Sequence, residues 1–259
     1  MTEYISLERV YPDSATLTLN RPDKRNALNV AMWTAIPSLV QQAIDDEDVR
    51  LLFVRGAGGV FASGADISEM PRVYATSQAA LENDTKIQNA MRAVENCPKP
   101  VIALIEGACV GGGCGLALAC DIRIGAIGSR YGITPAKLGL VYGAADARRL
   151  VQAIGLSMAK DILFSGRLLE AEEAHAMGLI DHLVDPQDLD AAAEDYASKI
   201  AAASQFSIRN QKTILSLLRG DADDAPISRA LFAAAFEGAD FKEGFSAFME
   251  KRPAKFPVR

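Results

Sequence analysis

The chain has 259 residues, with 27 Lys and Arg against 33 Asp and Glu and a formal net charge of −6. That balance, with no block of like charge, excludes the electrostatic footprint needed for nucleic acid or an anionic membrane surface. The length suffices for one large core, alone or with a small appendage. No apolar run approaches the ~20 residues of a membrane span. The N-terminus, MTEYISLERV, reads as neither a signal nor a transit peptide. Cys97, Cys109, Cys114 and Cys120 sit among apolar residues, which predicts reduced thiols and a cytoplasmic location.

In chain order, Tyr4–Tyr11 and Ala15–Asn20 alternate as a hairpin-like pair around Pro12-Asp13. Asn29 caps a helix to about Asp45, with Pro37 implying a kink or a later start. Leu51–Val54 and Val101–Ile105 are short apolar runs of buried-strand type, and Ile122–Ile124 and Ile180–Val184 are weaker ones. Helices follow over Asp146–Ile154, Ser157–Phe164, Glu170–Met177, Leu189–Ala203, Ser207–Leu218, Arg229–Glu237 and Lys242–Glu250, with Gly155, Gly166 and Gly178 at expected helix ends. Alternating strands and helices predict an α/β fold. A soft boundary near residue 200 separates a core, 1–200, from a helical region, 201–259, suited to oligomerisation. His175 and His182 straddle a helix end and a strand and have no partners at metal-site spacing, so no metal is expected.

Two glycine-rich stretches carry the chemistry: Gly58 to Met70, GGVFASGADISEM, and Ile105 to Asp121, IEGACVGGGCGLALACD. Each follows an apolar run and is expected to lead into a helix, leaving backbone N–H groups free where the helix dipole favours negative charge. Aimed at one point, two such turns make an oxyanion hole. A plain packing turn is the alternative. A dinucleotide fingerprint is excluded because its third glycine falls on Leu116, and no Gly-Lys-Ser/Thr of a P-loop follows.

Together with Leu19-Asn20-Arg21-Pro22, Asn26-Ala27-Leu28, Lys99-Pro100-Val101-Ile102-Ala103, Cys120-Asp121, and the tail residues Lys242-Glu243-Gly244, Ala247-Phe248 and Glu250-Lys251-Arg252, these stretches resemble the enoyl-CoA hydratase/isomerase (crotonase) superfamily over nearly the whole chain. The resemblance implies a spiral of ββα units with a helical C-terminal region, assembled as a trimer or a dimer of trimers. It implies an acyl-CoA thioester as substrate, with coenzyme A part of that substrate and no separate cofactor. The N–H groups of Ala65 and Gly112 then hold the thioester carbonyl. Lys24 and Arg25 fall at the CoA phosphate contacts. Ala27, Ala62 and Ile67 fall at the adenine and pantetheine contacts, with Leu28, Gly64 and Asp66 in the same segments. Phe248 and Lys251 match tail positions that reach CoA from a neighbouring subunit. Asp66 also reads as a residue that stabilises its own loop.

Hydratases of this family use two glutamates, whose places here are taken by Gly115 and Pro135. Neither transfers a proton. Tyr142, placed by the family pattern at the active-site rim, can donate a proton but is a poor base near neutral pH; packing with its hydroxyl at the surface is the alternative. Asp146, at a helix start, serves either proton transfer or that helix's N-terminus. Thr134, Glu69 and Cys114 are weaker candidates, and no histidine near Cys114 in sequence would activate it. Thr134-Pro135, Leu138-Gly139 and Tyr142 also resemble the methylmalonyl-CoA decarboxylase branch, although that branch has histidine at Ala65 and an acidic residue at Gly115. Three readings result: enoyl-CoA hydration or isomerisation with an unusual acid, acyl-CoA decarboxylation, and acyl-CoA binding without catalysis.

Overall fold

The computed structural model describes residues 3–138, 140–217 and 238–256. A six-stranded sheet is built from β1 (Ile5–Glu8), β2 (Ser14–Leu19), β3 (Leu51–Gly56), β4 (Val101–Ile105), β6 (Ile122–Ala126) and β9 (His182–Val184), side by side in that order. Only β1–β2 is antiparallel; the remaining pairs are parallel. A second sheet joins β5 (Ala108–Val110), β7 (Arg130–Gly132) and β8 (Leu169–Glu170). β3 and β4 read as unbroken apolar runs because both of their faces are covered. Leu52, Val54, Val101, Ala103 and Ile105 point into the larger core, while Leu51, Phe53, Ile102 and Leu104 meet Leu189, Ala193 and Ala197 on the other side.

The larger core is closed by α1 (Val30–Asp45), α3 (Ser77–Glu95) and α4 (Gly112–Ala119). Asn29 caps α1, its side chain accepting from Met32 N–H at 2.9 Å. Met32, Trp33, Ile36, Leu39, Val40 and Ala43 then form its buried stripe. Pro37 neither delays nor ends this helix. It lies in the interior of α1, half-buried and off that stripe, where the bond its missing N–H forfeits is the local cost. α3 has no counterpart among the sequence-based expectations. Its buried face carries Asn83, Gln88 and Glu95 beside Ala90, Met91 and Val94, so an apolar period is scarcely visible.

The second half is helical as expected: α5 (Ala144–Ser165), α6 (Ala171–Ala176), α7 (Leu189–Ala202), α8 (Gln205–Leu217) and α9 (Ala239–Glu250). The two helices expected on either side of Gly155 are one element broken there, where glycine takes φ 76° and ψ 162°. The strand expected from Ile180 starts at His182. β5, β7 and β8 are two or three residues long, too short to leave a period in the sequence. The helix expected over 229–237 and Leu218 lie outside the described residues.

Several motif residues serve the fold. The Lys99 ammonium is buried and donates to the carbonyls of Ala43 and Asp46, both at 2.7 Å, tying the end of α1 to the start of β4. Burial pushes its pKa down. Asp121 accepts from Val101 N–H at 2.7 Å and pairs with Lys212 at 2.6 Å, anchoring α8 to the start of β4.

Candidate active site

The two glycine stretches run side by side. Ala62 pairs with Cys109 in a parallel bridge, with Ala62 N–H donating to Ala108 O at 2.9 Å and Val110 N–H to Ala62 O at 3.0 Å. The approach is close: a Cβ on Gly113 would stand 2.7 Å from Ala62 Cβ, and one on Gly111 3.7 Å from Gly64 Cα. A further bridge joins Leu28 to Ala65, through Leu28 N–H to Gly64 O and Asp66 N–H to Leu28 O. Asn26 locks the arrangement. Its amide donates to Ala57 O and Val60 O while its carbonyl oxygen accepts from Arg21 N–H.

Within this frame the N–H groups of Ala65 and Gly112 have no acceptor among the described residues. Gly112 opens α4, so its N–H is free for the reason expected of a helix start. Ala65 differs from that expectation. The first stretch leads only into a three-residue 3-10 turn (Ile67–Glu69) and a single-turn helix, α2 (Met70–Val73). The Ala65 N–H is freed by bridge geometry, because its neighbours on either side make the bonds to Leu28. The Trp33 ring packs against Gly112, 3.1 Å from where a Cβ would be.

Asp66 holds its loop. One carboxylate oxygen accepts from Ser68 N–H (3.0 Å) and Ser68 Oγ (2.6 Å), and the other pairs with Arg21 at 2.8 Å. The Ser68 bonds and the Arg21 charge hold its carboxyl below the ordinary range. Lys24 and Arg25 are exposed and make no ion pair among the described residues. Their carbonyls meet Ser63 of the first loop, Arg25 O accepting from Ser63 N–H at 3.0 Å. Ala27 is half-buried and Ala62 fully buried, while Ile67 is 75 % exposed beside Ala65, an open apolar surface. Lys251 is exposed just beyond α9; Phe248 lies in α9, but its side chain is outside the described residues.

Tyr142 is placed differently from the expectation of a surface hydroxyl. Its hydroxyl is buried without a hydrogen-bond partner and lies 3.2 Å from where a Cβ on Gly115 would stand, with Met91 Cε at 2.7 Å from the same point. Gly115 therefore leaves space that Tyr142 and Met91 fill. Burial raises the Tyr142 pKa well above the ordinary phenol value, so the group is a neutral acid at working pH. Pro135 opens a 3-10 turn, Pro135–Leu138, and is half-buried with Thr134.

Asp146 lies in the first turn of α5, as expected of a carboxylate at a helix N-terminus, but its oxygens are taken by side chains. It accepts from Gln88 Nε2 at 2.8 Å and from Arg149 at 3.0 Å, and Arg149 in turn holds Glu95 at 2.8 Å. Burial raises the Asp146 carboxyl, opposed by the Gln88 bond and the Arg149 charge. Glu69 accepts from Val30 N–H at 2.7 Å and from Arg72 at 3.0 Å, so it is a tether between the first loop and α1. Cys114 is buried, with the Cys109 thiol beside it pushed up by burial. His175 Nδ1 lies 3.1 Å from Ile180 O and His182 Nε2 2.5 Å from the Tyr196 hydroxyl. Among the described residues no group of three or more His, Cys, Asp or Glu is arranged to hold a metal, and no helix is long and apolar enough to cross a membrane.

Two features escaped the sequence. Trp33, read only as part of a capped helix, lines a cavity of about 20 Å³ with Ala65, and its indole N–H is buried without an acceptor. The Gln88–Asp146–Arg149–Glu95 network draws on a helix with no visible apolar period.

The chain matches the enoyl-CoA hydratase/isomerase family model over residues 13–259. It is 36 % identical over 245 residues to a crotonyl-CoA hydratase of Syntrophomonas wolfei, covering 93 % of this chain and 94 % of that one. It is 34 % identical over 251 residues to the mitochondrial methylglutaconyl-CoA hydratase of Mus musculus, covering 93 % and 78 %. Its fold superposes on a protein assigned to the enoyl-CoA hydratase/isomerase family from Hyphomonas neptunium with a TM-score of 0.95 and 49 % identity, covering 100 % and 99 % of the two chains. An enoyl-CoA hydratase from Bacillus anthracis gives 0.92 at 30 % identity, covering 99 % and 100 %. Sequence motifs, architecture and these similarities agree: the chain has the crotonase fold and belongs to the enoyl-CoA hydratase/isomerase family.

Proposed function

We propose that this protein binds an acyl-CoA thioester and stabilises its enolate between the N–H groups of Ala65 and Gly112, with Tyr142 as the proton donor in an enoyl-CoA hydration or isomerisation. The observation that carries this reading is the pair of N–H groups without acceptors on two bridged loops. Donors fixed where negative charge develops are worth about 3–4 kcal/mol each, because they need no reorganisation during reaction. Lys24 and Arg25, free and exposed beside the first loop, suit the CoA phosphates. Ala27, Leu28, Ala62, Gly64, Asp66 and Ile67 shape the path between them and the thioester, with Phe248 and Lys251 contributed across a trimer or dimer of trimers built by the C-terminal helical region.

The proton inventory is short. Gly115 and Pro135 carry none, and Asp146 is committed to Gln88 and Arg149. In hydration, the oxygen of water bonds to Cβ and the alkene electron pair moves onto the thioester oxygen. Tyr142 protonates Cα and recovers the proton that the water releases, so one group closes the cycle. The hydratase names of the relatives support hydration as the reaction class.

Decarboxylation is a second reading, favoured because Asp146, the carboxylate near Tyr142, is committed to Gln88 and Arg149. Loss of CO₂ makes the enolate without a base, and Tyr142 then only protonates it. Turnover of crotonyl-CoA, a 3-enoyl-CoA and methylmalonyl-CoA separates the readings. Hydration or isomerisation of the first two supports the leading one, and CO₂ release from the third supports the second. Tight binding of all three without turnover overturns both in favour of a non-catalytic acyl-CoA binder.

A further inference from the structure

Gln88, Met91 and Glu95 share one face of α3, and Asp146 and Arg149 lie one turn apart at the start of α5. Arg149, its side chain only 2 % exposed, joins them all. Its Nε and one terminal nitrogen donate to Glu95 Oε2 at 3.2 and 2.8 Å. The other terminal nitrogen faces Asp146 Oδ1 at 3.0 Å, Gln88 Oε1 at 3.4 Å and Met91 Sδ at 3.6 Å. Gln88 closes the ring by donating to Asp146 Oδ2 at 2.8 Å. One guanidinium thus serves two buried carboxylates, and burial already raises the Asp146 carboxyl. A network of this kind adds little stability over apolar packing of the same volume. What the planar fork does impose is one relative placement of the two helices.

Two contacts of that placement end beside Gly115. Met91 brings Cε to 2.7 Å and Sδ to 3.6 Å of the point where a Gly115 Cβ would lie, and the Tyr142 hydroxyl stands 3.2 Å from the same point. Tyr142 is in the turn leading into α5, four residues before Asp146. Its buried hydroxyl has no hydrogen bond to orient it, so its position is set by what packs around it and by where α5 starts. Both of these are tied to Arg149. We propose that Arg149 is a positioning residue that sets the Tyr142 hydroxyl against Gly115, by fixing Met91 on one side and, through Asp146, the first turn of α5 on the other. The inference rests on the reading of Tyr142 as proton donor and adds the group that aims it. The Arg149 charge also acts on Tyr142, where it opposes the rise in pKa that burial imposes. The thioester donors at Ala65 and Gly112 stand on the bridged loops, so loss of Arg149 is felt in kcat and not in KM.

Steady-state kinetics of the full chain tests this, with whichever of crotonyl-CoA, a 3-enoyl-CoA or methylmalonyl-CoA the wild type turns over. Arg149→Met alone strands two buried carboxylates. The first variant therefore carries Glu95→Gln, Asp146→Asn and Arg149→Met together, which leaves no charge in the network. It is expected to keep a denaturation midpoint close to that of the wild type, to lower kcat at least about tenfold and to keep KM within about twofold. Met91→Leu keeps every charge and nearly the same volume but removes the thioether, and is expected to lower kcat about threefold with KM unchanged. It carries the test if the triple variant does not fold. In a Tyr142→Phe background, either set of changes is expected to cost less than about twofold further, because its effect passes through that hydroxyl. Wild-type kcat in either variant, a loss that falls mainly on KM, or a loss of equal size with and without the Tyr142 hydroxyl overturns this inference alone. Full turnover in Tyr142→Phe by itself, or no turnover of any of the three thioesters by the wild type, overturns the reading beneath it.

Discussion

The Tyr142 hydroxyl stands 3.2 Å from the point where a Cβ on Gly115 would lie, so the tyrosine occupies the space that a side chain on that turn of α4 would need. The same hydroxyl is buried and unpaired. A group that costs stability and touches the helix carrying Gly112 is a candidate for chemistry. Tyr142→Phe is expected to cut turnover at least roughly a hundredfold and to raise unfolding stability by about 1 kcal/mol, since an unsatisfied hydroxyl is removed. Steady-state kinetics with chemical denaturation of both proteins checks the pair of effects. Unchanged turnover removes Tyr142 from the reaction.

Gly115→Ala separates space from chemistry. The new methyl would meet Met91 Cε at 2.7 Å and the Tyr142 hydroxyl at 3.2 Å. The thioether end of Met91 can swing away, and alanine favours the helix by about 1 kcal/mol, so stability is expected to stay within about 1 kcal/mol of wild type. Turnover is expected to fall at least tenfold as the hydroxyl is displaced. A variant with full activity would show that the Tyr142 position is not critical.

Acidity provides a further test. Tyr142 is raised well above the usual phenol value by burial, so it stays protonated through neutral and acid pH. Turnover is therefore expected to show no acid limb from loss of a carboxylate base between about pH 7 and 5. A falling limb with a carboxylate-like midpoint in that range would require a base that the account lacks.

Asp146 predicts a slope in stability. Its folded-state pKa is raised, chiefly by burial, above that of the unfolded chain. The folded protein thus binds this proton more tightly, and the group's contribution is most favourable below the unfolded pKa and is lost as pH rises through the folded one. Asp146→Asn keeps an acceptor for Gln88 and removes the titration. Its stability relative to wild type is expected to rise between about pH 4 and 7 in denaturant melts. A relative stability that falls over that range contradicts the assignment.

Lys24 and Arg25 predict a binding effect without a chemical one. Lys24→Ala with Arg25→Asn, the latter tolerant of the left-handed backbone at φ 50°, is expected to raise KM about tenfold and leave kcat within about twofold. The increase should shrink at high salt, as screening removes the phosphate attraction in the wild type too.

The sequence reveals this fold and site unevenly. β3 and β4 are legible because strands buried on both faces leave unbroken apolar runs, and α1 is legible through Asn29 and its apolar stripe. α3 is hidden because Asn83, Gln88 and Glu95 occupy its buried face, and with it go both the Asp146 network and the cavity. The loops at Ala65 and Gly112 announce themselves through glycines required by close approach, as between Gly113 and Ala62. The freedom of the Ala65 N–H arises from a bridge to Leu28, nearly forty residues away in sequence, which no local pattern encodes. The inward turn of the Tyr142 hydroxyl, in the loop before α5, likewise depends on Gly115 of α4 and Met91 of α3.

The central claim is that Ala65 and Gly112 donate to the thioester carbonyl. Infrared difference spectroscopy of crotonyl-CoA labelled with ¹³C at that carbonyl measures it directly. Bound to the wild type, the carbonyl stretch is expected to shift below that of the free thioester, and in Gly112→Pro, which deletes one N–H, most of the shift is expected to vanish along with at least a hundredfold of turnover. A bound thioester whose stretch is unshifted in the wild type, or equally shifted in Gly112→Pro, would contradict the account.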